Sequence, residues 1–294
     1  MKKLFFVMNP YAGMRKASKQ LTEILTVFNR ADYDVTVYIT QSQGDAQKVV
    51  KNRAKEMDLI VCSGGDGTFN ETVAGILESG VDVPVGYIPS GSTNDFANSL
   101  RLATDPVEAA KNIASGKPER FDVGSFNGRC FTYVASFGAF TKASYETPQT
   151  VKNALGHTAY ILGGIQELSQ IKNKFPLRLE LDGETVEDNF VFGAICNSTS
   201  VGGIITLDPN RVDMADGWFE VLLVRYPKDL TEVAECIQAV QNKTYNCSMM
   251  TFRSARDISI TADPNMAWTL DGEKELGSEQ IKVENLHRVL QLVR

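Results

Sequence analysis

The chain has 294 residues, 43% of them hydrophobic and 22% charged, and a net charge of −6 at pH 7. That length predicts two domains, and the composition is that of a soluble globular protein with enough Leu, Ile, Val and Phe for sizeable cores. The acidic balance argues against nucleic acid as the main partner, so an enzyme of this charge that handles phosphates must attract them locally, through backbone N–H groups or a metal.

Lys2 and Lys3 followed by the apolar run 4–8 briefly resemble a signal peptide, but the run stops at Asn9-Pro10 and reads better as a first buried strand. Runs 35–40, 59–63 and 85–88, rich in β-branched and aromatic residues, are expected to be three further strands. Between them, residues 16–29, 45–55 and 69–77 carry apolar side chains at helical spacing, as in Leu21, Ile24, Leu25 and Phe28. This alternation predicts a doubly wound α/β domain with a mostly parallel sheet, whose ligands bind at the carboxyl ends of the strands.

The pattern changes after Asp122. Asn127-Gly128 separates runs 121–126 and 130–135, and Asp182-Gly183 separates 177–181 from 185–186, both strong hairpin signals. Further strands are expected at 190–196, 219–224, 258–262, 280–284 and 289–293, with helices at 160–171 and 230–240. The second half therefore reads as a mainly antiparallel, β-sandwich-like domain over 126–285, following a first domain over 1–125 to which 286–294 can return. The five cysteines are odd in number and scattered, which points to reduced thiols in a cytoplasmic protein. Two histidines, His157 and His287, are too few for a histidine-rich metal site, and no apolar segment has the length of a bilayer span.

The densest motif is Gly64-Gly65-Asp66-Gly67-Thr68, between an expected strand and an expected helix that opens with Phe69, Asn70 and Glu71. Its glycines let the backbone approach a phosphate, and the helix start adds N–H donors and a positive dipole end. Asp66, an anion among such donors, makes sense if a cation bridges it to the phosphate. The same residues read equally as a tight strand-to-helix turn with Thr68 as N-cap. The segment is neither of the common glycine motifs: Gly116-Lys117 is followed by Pro118, and Asn70 stands where the last glycine of a dinucleotide fingerprint should be. Asn9-Pro10-Tyr11-Ala12-Gly13 and Pro89-Ser90-Gly91-Ser92-Thr93-Asn94-Asp95 follow the first and fourth strands. Each alone is ordinary turn chemistry, but three such loops at one sheet edge form a polar rim suited to a nucleotide.

These motifs, the third continued by Phe96-Ala97, resemble the diacylglycerol kinase catalytic-domain family, soluble bacterial lipid kinases related to sphingosine and ceramide kinases and more distantly to NAD kinases and phosphofructokinases. The likeness runs on through Asp208-Pro209, Asp213 and Asp216-Gly217 to Asp271-Gly272-Glu273, nearly the whole chain, and implies that family's two-domain architecture. It implies an ATP site lined by Asn9, Pro10, Tyr11, Ala12, Gly13, Thr40, Gly64, Gly65, Asp66, Gly67, Thr68, Phe69, Asn70 and Ser92, with residues 64–68 on the phosphates and Glu273 near the nucleotide. Asp66 would reach the nucleotide's Mg²⁺ through water, assisted by Asp95 and Asp122. Two departures, Ser92 for the usual Thr and Ala12 for a frequent Ser, imply altered affinity at most.

The resemblance also implies a structural Mg²⁺ on the Asp216 carboxylate and on backbone carbonyls near Asp213 and Trp218, a segment that otherwise reads as a solvated acidic turn. Leu181-Asp182-Gly183-Glu184 and Leu270-Asp271-Gly272-Glu273 are identical strings, and local physics makes both hairpin turns. Only the resemblance selects Asp271 as the general base. The implied reaction moves the γ-phosphoryl group of ATP to a lipid hydroxyl, diacylglycerol giving phosphatidic acid, with the γ-phosphate at an interdomain cleft. Rival readings are a sphingoid base, another glycerolipid or NAD as acceptor, or a non-catalytic nucleotide-binding regulator. A lipid would need an apolar channel, for which Phe131, Phe137, Phe140, Tyr160, Phe190 and Phe192 are available, each equally a core residue. Such an enzyme would visit the inner face of the membrane transiently, and a homodimer is one possible assembly.

Overall fold

The computed structural model describes residues 1–13, 16–138, 174–201, 205–242, 244–245 and 247–294. The expected helix at 160–171, with His157, Tyr160 and Phe140, lies outside them. The chain forms two compact units, Met1–Val123 with His287–Arg294, and Gly124–Leu286.

In the first unit, β1 (Lys2–Met8), β2 (Tyr33–Ile39), β3 (Leu59–Gly64) and β4 (Val85–Pro89) form a parallel sheet in the order β2-β1-β3-β4. The last residues of β17 (Gln280–Val293) extend it, Leu292 and Val293 pairing parallel with Val85 and Gly86. Side chains alternate between the faces of a strand, and here both faces are covered. Leu4, Phe6, Met8, Leu59 and Val61 pack with Ile24 and Phe28 of α2 (Leu21–Arg30) and Ala109, Ala110 and Ile113 of α6 (Pro106–Ser115). On the other face Cys62 lies against Thr72 of α4 (Asp66–Ser79), where burial pushes its thiol up to about 12. That thiol is therefore neutral and structural. α3 (Asp45–Arg53) packs on α4, and the Glu71 carboxylate of α4 accepts from the Gly44 and Ala46 N–H groups at its start (2.7 and 3.2 Å).

The stretch expected as one helix at 16–29 is two, α1 (Lys16–Lys19) and α2, interrupted at Gln20, whose φ is −101°. Two helices are absent from the sequence reading: α5 (Asp95–Ser99), a single short turn, and α6. The second had a signal. Asp105 is its N-cap, accepting from the N–H groups of Val107 and Glu108 (both 3.1 Å), and Pro106 occupies the first helical position.

The second unit is antiparallel. β5 (Pro118–Phe126) turns at Asn127-Gly128, both at positive φ, into β6 (Arg129–Phe131), and β8 (Phe175–Leu181) turns at Asp182-Gly183 into β9 (Glu184–Cys196). After it, β10 (Ser200–Val201) and β11 (Ile205–Thr206) form a separate antiparallel pair, while β9 is the organising strand of the main sheet. Its first half pairs with β8, while residues 192–196 pair on one side with β7 (Val134–Gly138) and on the other with β12 (Phe219–Arg225). β13 (Met250–Ala255) continues from β12, and β14 (Asp257–Thr261) joins β8 to residues 280–284 of β17. β15 (Trp268–Leu270) pairs with β7 and hairpins into β16 (Glu273–Glu275). The apolar core of this unit includes Phe126, Phe131, Phe137, Phe219, Ile258 and Trp268. Phe131, Phe137 and Phe190 are buried in it as core residues. α7 (Leu230–Gln241) follows β12. The two strands expected at 280–284 and 289–293 are one continuous strand, bent where Arg288 takes a φ of 54°.

The α6 cap carries a charge as well as a hydrogen bond. The Glu108 N–H, and then Lys16 at 3.1 Å, hold the Asp105 carboxyl below its ordinary 3.8. Asp105→Ala is expected to lower stability by about 1 kcal/mol. Because the folded state favours the ionised form, that loss is full above pH 3.8 and shrinks as the pH falls further, when wild-type Asp105 also loses its charge. Urea melts of both proteins from pH 3 to 7 measure it.

Candidate functional site

Three loops converge at the carboxyl ends of β1, β3 and β4. Their contact is between main chains. A Cβ at Gly91 would stand 2.6 Å from the Cα of Gly65, and one at Gly13, where φ is +51°, would stand 2.3 Å from the Ser90 carbonyl oxygen. The Ser90 N–H donates to the Gly64 carbonyl (2.7 Å), and the Asn9 N–H to that of Ser63 (2.9 Å). Asn9 Nδ2 donates to the Thr68 hydroxyl (3.2 Å), while Asn9 Oδ1 accepts from the Tyr11 N–H (3.0 Å). Asn94, in the left-handed region at φ 53°, closes its own loop by accepting from the Gly91 N–H (2.8 Å) and donating to the Gly91 carbonyl (3.0 Å).

Gly65 is the N-cap of α4, and no side chain caps it. Thr68 is thus the third helical residue and not the cap. A helix start without a side-chain acceptor, reached by glycine backbone, presents N–H groups and a positive dipole end to an anion. The Asp66 carboxylate accepts from the N–H groups of Asp95 and Phe96 (3.2 and 3.4 Å), which ties α4 to α5. Beneath the loops, Phe69 stacks on Tyr87 with ring centroids 4.3 Å apart, and Phe96 lies 4.7 Å from Phe69. The Tyr87 hydroxyl donates to the Gly64 carbonyl (3.3 Å), and burial keeps its pKa well above 10.

The predicted nucleotide residues fall into distinct settings. Asn9, Pro10, Ala12, Gly65, Asp66, Gly67, Thr68 and Asn70 are half-buried, while Tyr11, Gly13 and Ser92 are exposed, all on these loops or the helix they begin. Gly64 ends β3 in the core. Phe69 is fully buried, so only its backbone faces the rim. Thr40 is buried beside β1, its N–H and hydroxyl both donating to the Met8 carbonyl (2.9 and 3.3 Å). Asp95 is buried at the start of α5. Asp122 is fully buried, and its Oδ1 accepts from the Arg288 N–H (2.7 Å) and meets His287 Nδ1 (3.0 Å). Sequence reasoning did not name Tyr87 and gave His287 no partner, because nothing local marks contacts so distant in the chain.

Asp271 and Glu273 belong to the second unit. Asp271 begins the β15–β16 turn at φ 50°, with 4% of its surface exposed. Its Oδ1 accepts from the N–H groups of Tyr133 and Val134 (both 3.0 Å), and its Oδ2 from the Thr132 N–H (2.5 Å) and hydroxyl (2.8 Å). Burial raises the carboxyl above its ordinary 3.8, against the pull of these donors. Asp182 has the same tetrapeptide and nearly the same φ, 52°, yet its carboxylate is exposed and accepts from the Arg256 and Asp257 N–H groups (3.1 and 2.8 Å). Glu273 pairs with Arg129 at 3.0 Å, and Arg129 also bonds Glu275.

Asp213 and Asp216 lie in two consecutive turns, their Oδ1 atoms accepting from the Ala215 and Trp218 N–H groups (3.0 and 2.9 Å). The Trp218 carbonyl accepts from Asn285 Nδ2 (3.3 Å). Glu220, buried beyond them, is pushed up to about 8 by burial and then by the Asp216 charge. Among the described residues no group of three or more His, Cys, Asp or Glu side chains is gathered as metal ligands. Any cation here would draw on carbonyls and water as well.

A doubly wound parallel unit with a glycine-lined helix start, followed by an antiparallel sandwich-like unit, defines a class of nucleotide-using kinases. The family model of the diacylglycerol kinase catalytic domain matches residues 3–126, and that of the YegS C-terminal NAD kinase beta sandwich-like domain matches residues 133–294. The chain is 30% identical over 275 residues to a diacylglycerol kinase of Bacillus subtilis (strain 168), covering 93% of this chain and 90% of that protein. It is equally similar, 30% over 275 residues, to one of Staphylococcus carnosus (strain TM300), covering 92% and 89%. A solved structure from Bacillus anthracis str. Sterne, described as a candidate diacylglycerol kinase, superposes with a TM-score of 0.84 at 27% identity over 99% of this chain and 96% of that one. The chain belongs to the diacylglycerol kinase family. It is an ATP-using phosphotransferase with an alcohol acceptor.

The loop convergence leaves no space for a side chain at Gly91, where a Cβ would also meet Asn94 Oδ1 at 2.7 Å. Gly91→Ala is expected to weaken ATP binding on the order of tenfold or more, by displacing the facing main chain. Gly80→Ala, at the far end of α4 with nothing within 4 Å but a φ of +69°, is expected to cost about 1 kcal/mol of stability and leave binding intact. Calorimetric titration with ATP and thermal melts of both variants separate the two effects.

Proposed function

We propose that this protein phosphorylates diacylglycerol, moving the γ-phosphoryl group of ATP to its free hydroxyl to give phosphatidic acid. The observation that carries the reading is the meeting of three glycine-bearing loops at the uncapped start of α4. That meeting gives an acidic protein a local anion site built from backbone donors. The names of the relatives, and their coverage of both units, support a lipid acceptor over NAD.

In this reading residues 64–68 hold the ATP phosphates, with Asn9, Pro10, Tyr11, Ala12, Gly13, Thr40, Asn70 and Ser92 around the nucleotide and Glu273 near it. Phosphoryl transfer needs little covalent help from protein, so positioning and charge neutralisation dominate. A magnesium ion on the nucleotide would supply that neutralisation, and the carboxylates of Asp66 and Asp95 are hard oxygen ligands of the kind it takes. Asp122, fully buried and bonded to Arg288 and His287, acts as support behind them. The Asp216 carboxylate, with backbone carbonyls near Asp213 and Trp218, would hold a second, structural Mg²⁺. Asp271 takes the proton of the lipid hydroxyl. The enzyme reaches its acceptor by transient contact with the inner membrane face, since no helix of the described residues is long and apolar enough to cross a bilayer.

Labelled ATP incubated with the protein and mixed micelles of diacylglycerol, monoacylglycerol or a sphingoid base, or with NAD, tests the acceptor. Labelled phosphatidic acid is the expected product, and phosphorylation of NAD, or ATP binding without transfer to any acceptor, would overturn the proposal. Asp271→Asn is expected to lower kcat by a factor of about 10² to 10⁴ while ATP affinity persists. Because burial raises Asp271, the rate should fall on acidification with a limb above 3.8.

A further inference from the structure

The proposed base is held by more donors than it can keep while it works. The Tyr133 and Val134 N–H groups donate to Oδ1 of Asp271, and the Thr132 N–H and hydroxyl donate to Oδ2, at 2.5 to 3.0 Å. These fill the four or so lone-pair sites of an ionised carboxylate. An oxygen that accepts a proton must therefore lose a donor. The three amide donors cannot turn away, because the segment that carries them is anchored from behind. Asn197 Nδ2 donates to the Thr132 carbonyl (3.3 Å), while the Asn197 N–H and Ser198 hydroxyl donate to that of Tyr133 (2.8 and 3.3 Å). A hydroxyl, by contrast, rotates and exchanges donation for acceptance in place.

We propose that Thr132 is the positioning residue of the general base: its hydroxyl aims Oδ2 of the ionised Asp271 and turns to accept once Oδ2 is protonated. This rests on the reading of Asp271 as base. The acceptor's O–H bond breaks and its proton goes to Oδ2. The electron pair left on that oxygen forms the new bond to the γ-phosphorus. The bond from the γ-phosphorus to the bridging oxygen breaks, and ADP leaves with its electrons. The new Oδ2–H then donates to Thr132 Oγ1, whose own hydrogen has swung aside. Thr132 is fully buried, so water does not replace its hydroxyl. The titratable and charged groups on the elements around Asp271 include Tyr133, whose hydroxyl lies 3.7 Å from a Cβ position at Gly272, Cys130 of β6, Cys196 opposite Val134, Lys274, and Glu273 and Glu275, both paired with Arg129. Burial keeps the Cys196 thiol well above 9 and hence neutral.

The test is the pH profile of kcat/KM for diacylglycerol in mixed micelles, with wild type, Thr132→Val, Thr132→Ser and Asp271→Asn. Losing the hydroxyl removes a donor to the ionised form, so Thr132→Val should move the acid limb up by about one pH unit, tenfold in the protonation equilibrium. Its kcat at the optimum should fall about tenfold with KM for ATP unchanged, and Thr132→Ser should restore both. If the valine variant does not fold, Thr132→Ala is read in its place. An unmoved limb, or no recovery in Thr132→Ser, overturns the role of Thr132 while inactivity of Asp271→Asn leaves the base standing. Full activity of Asp271→Asn removes the base, and the role of Thr132 with it.

Discussion

The approach of Gly91 to Gly65 governs the first unit, because it decides how near the ends of β3 and β4 can come. At that spacing the Ser90 N–H reaches the Gly64 carbonyl, Asn94 closes its loop on Gly91, and Asp66 accepts from the start of α5. The stacked rings of Phe69, Tyr87 and Phe96 hold the same three segments from below. The outcome is a rigid rim of main-chain atoms. In a protein with a net charge of −6, whose overall field repels phosphate, such a rim supplies the local attraction that the proposed nucleotide site requires.

The second unit solves a different problem, that of keeping a carboxylate inside a sheet. Burial alone would drive Asp271 towards the neutral acid. The N–H groups of Thr132, Tyr133 and Val134 oppose this, and they point at Asp271 because the chain between β6 and β7 leaves strand geometry there. Asn197 and Ser198, at the end of β9, bind the carbonyls on the other side of that segment. A buried polar network of this kind is stable only when its members are satisfied, and a satisfied one is stiff. Stiffness suits the proposed role of Asp271, in which one oxygen is held towards a hydroxyl.

Much of the fold was legible in the sequence. The four parallel strands, α2 to α4, and the Asn127-Gly128 and Asp182-Gly183 turns follow from periodicity and from the ease with which Asn, Asp and Gly adopt positive φ. α6 was legible and overlooked, since Asp105-Pro106 is a direct N-cap signal. β17 was not. Its polar stretch around His287 and Arg288 breaks the apolar pattern, and the strand continues because the Arg288 N–H and the His287 ring both bind the buried Asp122, 165 and 166 residues away in sequence.

The sequence by itself determined that residues 64–68 form a strand-to-helix turn of glycines, because backbone freedom is a local property. It could not tell a helix capped by Thr68 from one left uncapped at Gly65, which depended on where α4 begins and on what the neighbouring loops bring to it. Nor could it separate Asp182 from Asp271, which share one tetrapeptide and one backbone conformation. Only the tertiary structure made them different, setting one in solvent and the other among the amide groups of residues 132–134. Turn geometry is written in neighbouring residues, whereas burial and hydrogen-bond partners come from strands more than a hundred residues apart.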